Sequence, residues 1–409
     1  MAAIRFIHTA DLHLDSPFKG MSHLPSTLLE RIQESTFTSF QSIVTKAIAE
    51  QVDFLLVCGD VFDEKTRSLR AQSFFKKQCQ RLYEHKIAVF VIHGNHDHLS
   101  GQWVSLDWPD NVYFFGGEVS CQRYITQNNV VVHLYGFSYK QREVEENMTS
   151  YYRKTAEADF HIGLLHGQAE GMGGHHNYAP FTIAELEAID FDYWALGHIH
   201  QRQSLNSTII YPGNIQGRHR NEQGEKGCLL VEMNEHDHRQ LFISTADIIW
   251  EELYVEITGL DSEQQLIDVL ELKKDEHRKD VGVMMHIVFI GHGPLHMFLS
   301  EQSNIEEVLS ILNEDENPEV NFVWFCSHDQ KTTGNWNRET LKETHDFLGE
   351  LLKVSETIQT GSGEALFKEL VEHRKAKKYM TKWSNDEMKQ IIKDAETYVV
   401  EELVKRWQD

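Results

Sequence analysis

IAVFVIHGNHDH, residues 87–98, is the stretch that decides the fold. Its first half is an apolar run rich in β-branched residues, the pattern of a strand buried on both faces. Where such a strand leaves its sheet come Gly94, Asn95, His96, Asp97 and His98, a glycine followed by metal-ligand and proton-transfer side chains. In open α/β sheets ligands bind outside the carboxyl ends of the strands, so the cluster stands where a site is expected.

The arrangement repeats on both sides of this stretch. Upstream, residues 4–8 read as a strand, followed by Asp11 and His13 at i and i+2, a spacing that in extended chain sends both side chains to one side. Taken alone, that pair is equally well explained as a helix cap beside a surface histidine. Apolar positions between 28 and 50 recur at helical spacing, and residues 53–57 (DFLLV) read as a buried strand ending in CGDVFD, with Gly59, Asp60 and Asp63. A glycine there lets the following carboxylate approach an ion without a Cβ clash. Residues 69–86 read as a second helix, and strand, helix, strand in this rhythm implies a mainly parallel sheet. Downstream, short β runs at 112–115, 123–125 and 130–135 suggest the meander of a second sheet facing the first. Residues 161–165 form a buried strand ending at His166 and Gly167, and 193–196 form another, followed by Gly197, His198 and His200. His175 and His176 lie in a glycine-rich loop, where solvent exposure is a simpler account than ligation.

A chain of 409 residues is long enough for two or three domains. No apolar stretch approaches the length of a membrane span, and a strand starting at residue 4 leaves no room for a signal peptide, so a cytoplasmic protein without membrane contact is expected. The five cysteines are scattered and odd in number, against both a disulfide framework and a structural zinc site. A net charge of -24 speaks against bulk attraction to nucleic acid, although bound cations can supply positive potential locally and basic residues gather in patches such as RHR at 218–220.

The strand-end residues Asp11, His13, Asp60, Asn95, His96, His166, His198 and His200 combine carboxylate, amide and imidazole without thiolate. That set suits borderline-to-hard divalent ions such as Mn²⁺, Fe²⁺ or Zn²⁺, and it is too large for one ion. Two ions need a bridge, for which the carboxylate of Asp60 is the natural group. A metal-stabilised scaffold would explain the ligands but not His96.

Five motifs carry a resemblance. DLH at 11–13, GDVFD at 59–63, GNHD at 94–97, the His166-Gly167 pair and GHIH at 197–200 resemble, in order, those of the calcineurin-like metallophosphoesterases. DLHLDSPF at 11–18 and YPGNIQGRH at 211–219 make the chain similar to the SbcD-type DNA-repair exonucleases, within them to the YhaO-like branch. The resemblance implies an α/β fold, a two-sheet β-sandwich flanked by helices. It gives Asp11, His13, Asp60 and His200 to one ion and Asp60, Asn95, His166 and His198 to the other, most naturally Mn²⁺, with in-line attack on phosphorus by a metal-held hydroxide. His96, its ring oriented by Asp97, would stabilise the phosphorane or protonate the leaving oxygen. Arg218 and Arg220 are candidate substrate contacts. Nucleases of this group sometimes carry histidine where this chain has Asp63. The activity implied is a DNA exonuclease; the alternative is a phosphodiesterase or phosphatase of small esters such as cyclic nucleotides.

Three domains are expected: a catalytic domain at 1–248, a small α/β cap at 249–328, and a linker with C-terminal helices at 329–409. No ligand-bearing strand ends recur in the cap, and its His286, His292 and His296 read as surface or packed residues. The polar run SHDQKTTGNWNRE at 327–339 reads as a tether. Beyond it, Leu341, Leu348 and Ser355 recur at seven with His345 and Leu352 between them, a narrow seam like that of a coiled coil, and Ser384 with Glu387 forms a capping-box signature ahead of Met388, Ile391, Ile392, Ala395, Val399 and Leu403. In SbcD-like nucleases such a helical pair grips the coiled coil of an ABC-type ATPase, so that partner, alongside DNA, is implied here, and the family also allows a homodimer.

Overall fold

The computed structural model describes residues 2–63, 68–101, 104, 106–155, 157–171, 178–334, 336, 338–344, 346–360, 373, 375 and 384–408. His175, His176 and His345 lie outside the described residues. The chain divides into two units, one of Met1–Leu253, Glu271–Ile287 and Ile311–Ser327, the other of Tyr254–Leu270, Val288–Ser310 and His328–Asp409.

The first unit is built as the strand rhythm requires. Strand β1 (Ala3–Thr9), helix α1 (Ser26–Ala49), β2 (Phe54–Cys58), α2 (Leu69–Glu84), β3 (Ala88–Ile92) and β4 (Val112–Phe114) place four parallel strands side by side. After β5 (Ser120–Ile125), β6 (Val131–Gly136), β7 (Phe160–His166), α3 (Ile183–Ile189), β8 (Tyr193–Gly197), β9 (Gln203–Ser204) and β10 (Ile209–Tyr211), the chain returns through β11 (Gly227–Asn234) and β12 (His238–Ser244). The strand orders are β12-β11-β1-β2-β3-β4 and β5-β6-β7-β8-β10-β9. This is a mixed α/β fold of two main sheets flanked by helices, the metallophosphoesterase architecture.

The meander expected at 112–135 is corrected in two ways. Strand β4 joins the first sheet, pairing with β3 through Phe90 and Tyr113, whose rings stack at 5.0 Å. The second sheet is largely parallel, since β6, β7, β8 and β10 run alike and only β5 and β9 are antiparallel to their neighbours. A strand of three residues carries too little alternation to reveal which sheet it joins.

Alternation within the strands sorts the core. Phe6, Phe54, Leu56 and Phe90 of the first sheet meet Val132, Leu134, Ile162 and Leu164 of the second. The intervening Ile7, Leu55, Val57 and Val89 face the other way, against Phe40, Val44 and Phe75 of the two long helices. Burial on both faces fixes the register of β1–β3, because a one-residue slip would exchange the two sets. The strand ends, and hence the site, are held by the deepest part of the protein.

A third sheet, β13 (Ile248–Glu256), β14 (Gly282–His292) and β15 (Val323–Thr333), accompanies α4 (Glu263–Glu276), α5 (Leu295–Ser300) and α6 (Gln302–Glu314). The tether expected at 327–339 is therefore largely strand. Its polar side chains sit at the end of an edge strand, where Thr332 is buried and hydrogen-bonds with His296 at 2.8 Å. His286 is likewise packed, 2.8 Å from Ser327 Oγ.

Helices α7 (Arg338–Lys342), α8 (Phe347–Thr360) and α9 (Asn385–Gln408) end the chain. The capping box at Ser384 forms as expected, Glu387 N donating to Ser384 Oγ and Ser384 N to the Glu387 carboxylate. Leu348 and Leu352 of the seam pack against Val400 of α9, and Arg338 ion-pairs with Glu396 at 2.6 Å. The break between α7 and α8 interrupts the seam after Leu341.

Candidate metal centre

Five strand ends deliver their polar residues to one place. The loops after β1 and β2 are zipped together: Asp11 N donates to Gly59 O, His13 N to Asp60 O and Leu14 N to Val61 O, at 3.0–3.1 Å. Asp11, His13 and Asp60 all adopt positive φ, 52°, 41° and 50°. Extended geometry therefore does not bring Asp11 and His13 together, as their spacing suggested. A left-handed loop does, and such strain in non-glycine residues persists where the surroundings over-determine it.

The glycines of these motifs are required by closeness. A Cβ on Gly94 would lie 2.4 Å from Asp60 Oδ1 and 2.5 Å from His166 Nε2, and one on Gly59, at φ +92°, would lie 2.2 Å from His166 Nδ1.

Two half-sites result. In one, the Nε2 atoms of His13 and His200 face each other at 3.2 Å, and Asp11 Oδ1 lies 4.0 Å from that of His200. In the other, Asn95 Oδ1 is 3.0 Å from His166 Nε2 and 3.2 Å from His198 Nδ1. Asp60 stands between them, its Oδ2 3.8 Å from His13 Nε2 and 3.5 Å from His166 Nε2. Its Oδ1 accepts from the backbone N–H of His96 at 2.8 Å. One oxygen, rather than one each, thus faces both halves.

These residues fit a cation pair. His200 Nδ1 donates to Glu222 Oε1 at 2.6 Å, and His166 Nδ1 donates to Cys58 O at 2.9 Å. Each bond occupies Nδ1 and turns Nε2 toward the cluster, where it would serve as a ligand once free of its proton. The Nε2 atoms of His13 and His200 converge at 3.2 Å, near enough for both to turn a lone pair on one positive ion, and His13 Nδ1 is buried without a hydrogen-bond partner in the protein. Burial pushes His198 down to about 3 and His13 well below its usual value, keeping both rings neutral as ligands must be. Burial also disfavours charge on His166, yet Asp60 and Asp11 outweigh it and raise the ring to about 9. The buried carboxylates call for positive charge here. Asp11, His13 and His200 lie within 4.8 Å of one another, as do Asp11, Asp60 and His166.

His96 stands at the rim, half-buried, its ring 5.0 Å from that of His13. The expectation that Asp97 orients it is corrected. Asp97 is fully buried and accepts from Val61 N, Gly94 N and His93 Nδ1 at 2.7–3.0 Å, bracing the β2 and β3 loops. Asp63 is the acid beside His96, 3.8 Å from Nδ1, and also 3.7 Å from Arg218 Nη1. Burial works against the charged His96 ring, but Asp63 and Asp60 prevail and raise its pKa. Arg218 is partly buried, whereas Arg220 is exposed. Glu222, which sequence reasoning missed, also accepts from Arg218 N at 2.7 Å and Asn214 Nδ2 at 3.0 Å. Its only sequence signal is that a ligating histidine needs an outer acceptor.

Comparison with known proteins agrees with this geometry. The profile of the calcineurin-like phosphoesterases matches residues 4–202. The uncharacterized metallophosphoesterase YhaO of Bacillus subtilis is 39% identical over 405 residues, 98% of each chain. The chain belongs to the calcineurin-like metallophosphoesterases, metal-dependent phosphoester hydrolases with a dinuclear centre. The SbcD component of the nuclease SbcCD of Staphylococcus epidermidis is 27% identical, covering 52% of this chain and 61% of that one. The DNA double-strand break repair protein Mre11 of Methanocaldococcus jannaschii is 26% identical, covering 57% and 63%. Among the described residues no helix is long and apolar enough to cross a membrane, and all five cysteines are free thiols.

Proposed function

We propose that this protein is a cytoplasmic, Mn²⁺-dependent DNA exonuclease of DNA repair, with Asp11, His13, Asp60 and His200 holding one ion and Asp60, Asn95, His166 and His198 the other. The carrying observation is His96: a half-buried imidazole beside Asp63, next to the cluster yet outside both half-sites. When bound, the ion pair supplies Lewis-acid stabilisation of phosphoryl oxygens and an activated water. His96, held charged by Asp63 and Asp60, donates a proton to the departing oxygen or a hydrogen bond to the phosphoryl group. Arg218 adds a cation on the same side, and Arg220 a surface contact to the DNA backbone. The names of the partial relatives support DNA as the substrate. In this reading residues 1–248 carry catalysis, 249–328 form the cap, and 329–409 bind a partner.

The test compares linear duplex, closed circular DNA, a cyclic nucleotide and a chromogenic monoester in one Mn²⁺ buffer. Ends of linear DNA should be consumed fastest. Rapid turnover of the small esters with DNA untouched would establish the small-ester enzyme instead.

An ABC-type coiled-coil ATPase is the proposed partner. Leu351, Val354 and Ile358 of α8 and Ile391, Ala395 and Val399 of α9 line an apolar groove of about 260 Å³, and Val354 is 56% exposed. An amphipathic helix fits such a groove. Val354→Asp with Val399→Asp should abolish co-purification with the ATPase while hydrolysis of a chromogenic diester persists. Retained co-purification would place the interface elsewhere.

A further inference from the structure

The two signatures DLHLDSPF and YPGNIQGRH hold more than proposed metal ligands. After Asp11 and His13 the first continues through Ser16, Pro17 and Phe18, and the second closes on Arg218 and His219, none of them a proposed metal ligand, with Arg218 Nη2 3.3 Å from His200 Nδ1 at the edge of one half-site. The fold brings these remainders together. Phe18, Lys19, Arg142, Arg218 and His219 surround a cavity of about 310 Å³, and His96 and Asp63 form the wall it shares with the metal centre.

We propose that this cavity is a subsite for the nucleotide next to the scissile bond, in which the cationic side chains hold a second phosphate and Phe18 offers an apolar wall to the sugar or base. The proposal rests on the phosphodiesterase reading above and deepens it.

Charge is the first support. In a chain of net charge -24, Lys19, Arg142, Arg218 and His219 converge on one small cavity whose lining, among the described residues, holds a single carboxylate, Asp63. Asp63 faces His96 at 3.8 Å and Arg218 at 3.7 Å, and Glu222, which is not in the lining, faces Arg218 at 3.7 Å and His219 at 3.6 Å, so two carboxylates stand against Lys19, Arg142, Arg218 and the two histidines. A local excess of positive charge in an acidic protein selects for an anion.

The second support is Arg218. Its side chain is 16% exposed, its contacts to Asp63 and Glu222, both 3.7 Å, are ion pairs beyond hydrogen-bond length, and its Nη2 lies 3.3 Å from His200 Nδ1. Its Nε is buried and has no hydrogen-bond partner in the protein. A guanidinium fixed in place with a buried donor unsatisfied is suited to a phosphate oxygen.

Backbone and size agree. Asp15 and Phe18 adopt positive φ, 64° and 39°, so the loop that turns Phe18 and Lys19 toward the cavity holds a conformation that favours glycine without having one. The volume lies at the lower end of small-molecule sites, about 300–1,000 Å³. That is room for a single nucleotide.

The experiment uses the full chain with Mn²⁺ and measures kcat and KM for the dinucleotides TpT, pTpT and TpTp, with bis(p-nitrophenyl) phosphate as a diester lacking a nucleotide. One of the two phosphorylated dinucleotides should be preferred over TpT by about tenfold or more, through KM, as charge-assisted hydrogen bonds imply. In Lys19→Ala/Arg142→Ala, two exposed positions where folding is not at risk, the ratio of the preferred dinucleotide to TpT should fall to near one. Equal use of all three dinucleotides by the wild type, or a preference that survives the double substitution, overturns the subsite alone. Hydrolysis of the chromogenic diester with no dinucleotide cleaved overturns the nuclease reading and the subsite with it.

Discussion

The first sheet brings to the metal cluster both carboxylates and the amide, Asp11, Asp60 and Asn95, while the second brings only imidazoles, His166, His198 and His200. They are not all held alike. The β1 and β2 loops are locked by backbone hydrogen bonds between them, and Asp60 is further tied by the His96 N–H. On the second sheet, His166 at the end of β7 is likewise tied to backbone, through Cys58 O, whereas His200 depends on the Glu222 carboxylate. Backbone-locked groups keep their place when a neighbouring side chain changes. Side-chain-held groups do not, so Asp60 and His200 should respond to substitution in different ways.

The largest effect is expected from Asp60→Asn. The amide keeps the shape and can still accept from His96 N, so the loops should stay, but the charge shared by both half-sites is gone. Bound metal measured by elemental analysis should fall to background, and hydrolysis of a chromogenic diester should fall about a thousandfold or more, the scale of a lost Lewis-acid site. Full metal occupancy in this variant would remove Asp60 from the bridge.

His96→Ala comes next and separates chemistry from ligation. The substitution leaves the backbone N–H that braces Asp60 intact, so both ions should remain while turnover drops by about 10²–10⁴, the range of a lost general acid. Metal loss as complete as in Asp60→Asn would show that the two roles are not distinct.

Glu222→Gln probes the second-sheet half and should be mildest. Gln can still accept from His200 Nδ1 but without charge, and metal affinity should weaken by about 10–100-fold, as for other outer partners of ligating histidines. Turnover at saturating Mn²⁺ should recover most of the wild-type rate. If affinity is unchanged, the His200 ring is held by packing, and the contrast with Asp60 disappears.

Legibility in the sequence follows the same divide. Strands β1, β2, β3, β7 and β8 announce themselves because burial on both faces leaves long apolar runs, and the residues just past them are all that a strand end can present. That logic picked out residues that the fold brings together at the strand ends, while their division between two ions came from the family resemblance. It misjudged their neighbours. Asp97 follows His96 directly, yet the turn sends its carboxylate back under the loops, and Asp63, 33 residues earlier and first seen as a departure from a histidine, stands beside the ring instead. Residues 327–333 looked like a tether because an edge strand can be polar where its ladder, not its side chains, makes the fold. The C-terminal seam was legible as a periodicity, but whether its apolar stripe meets α9 or a partner was not. The fold divides the stripes, burying Val400 against α8 and leaving Val399 37% exposed at the groove.

By itself, then, the sequence determined the parallel strands, the glycines at their ends and the identity of the cluster's donors, because strand periodicity and burial act over a few neighbouring residues. Only the tertiary structure decided that Asp60 faces both half-sites through one oxygen, that His96 pairs with Asp63, that Glu222 fixes His200, and that β4 belongs to the first sheet. Those outcomes depend on where loops far apart in the chain come to rest within a few ångströms of one another. No local pattern of residues encodes such distances.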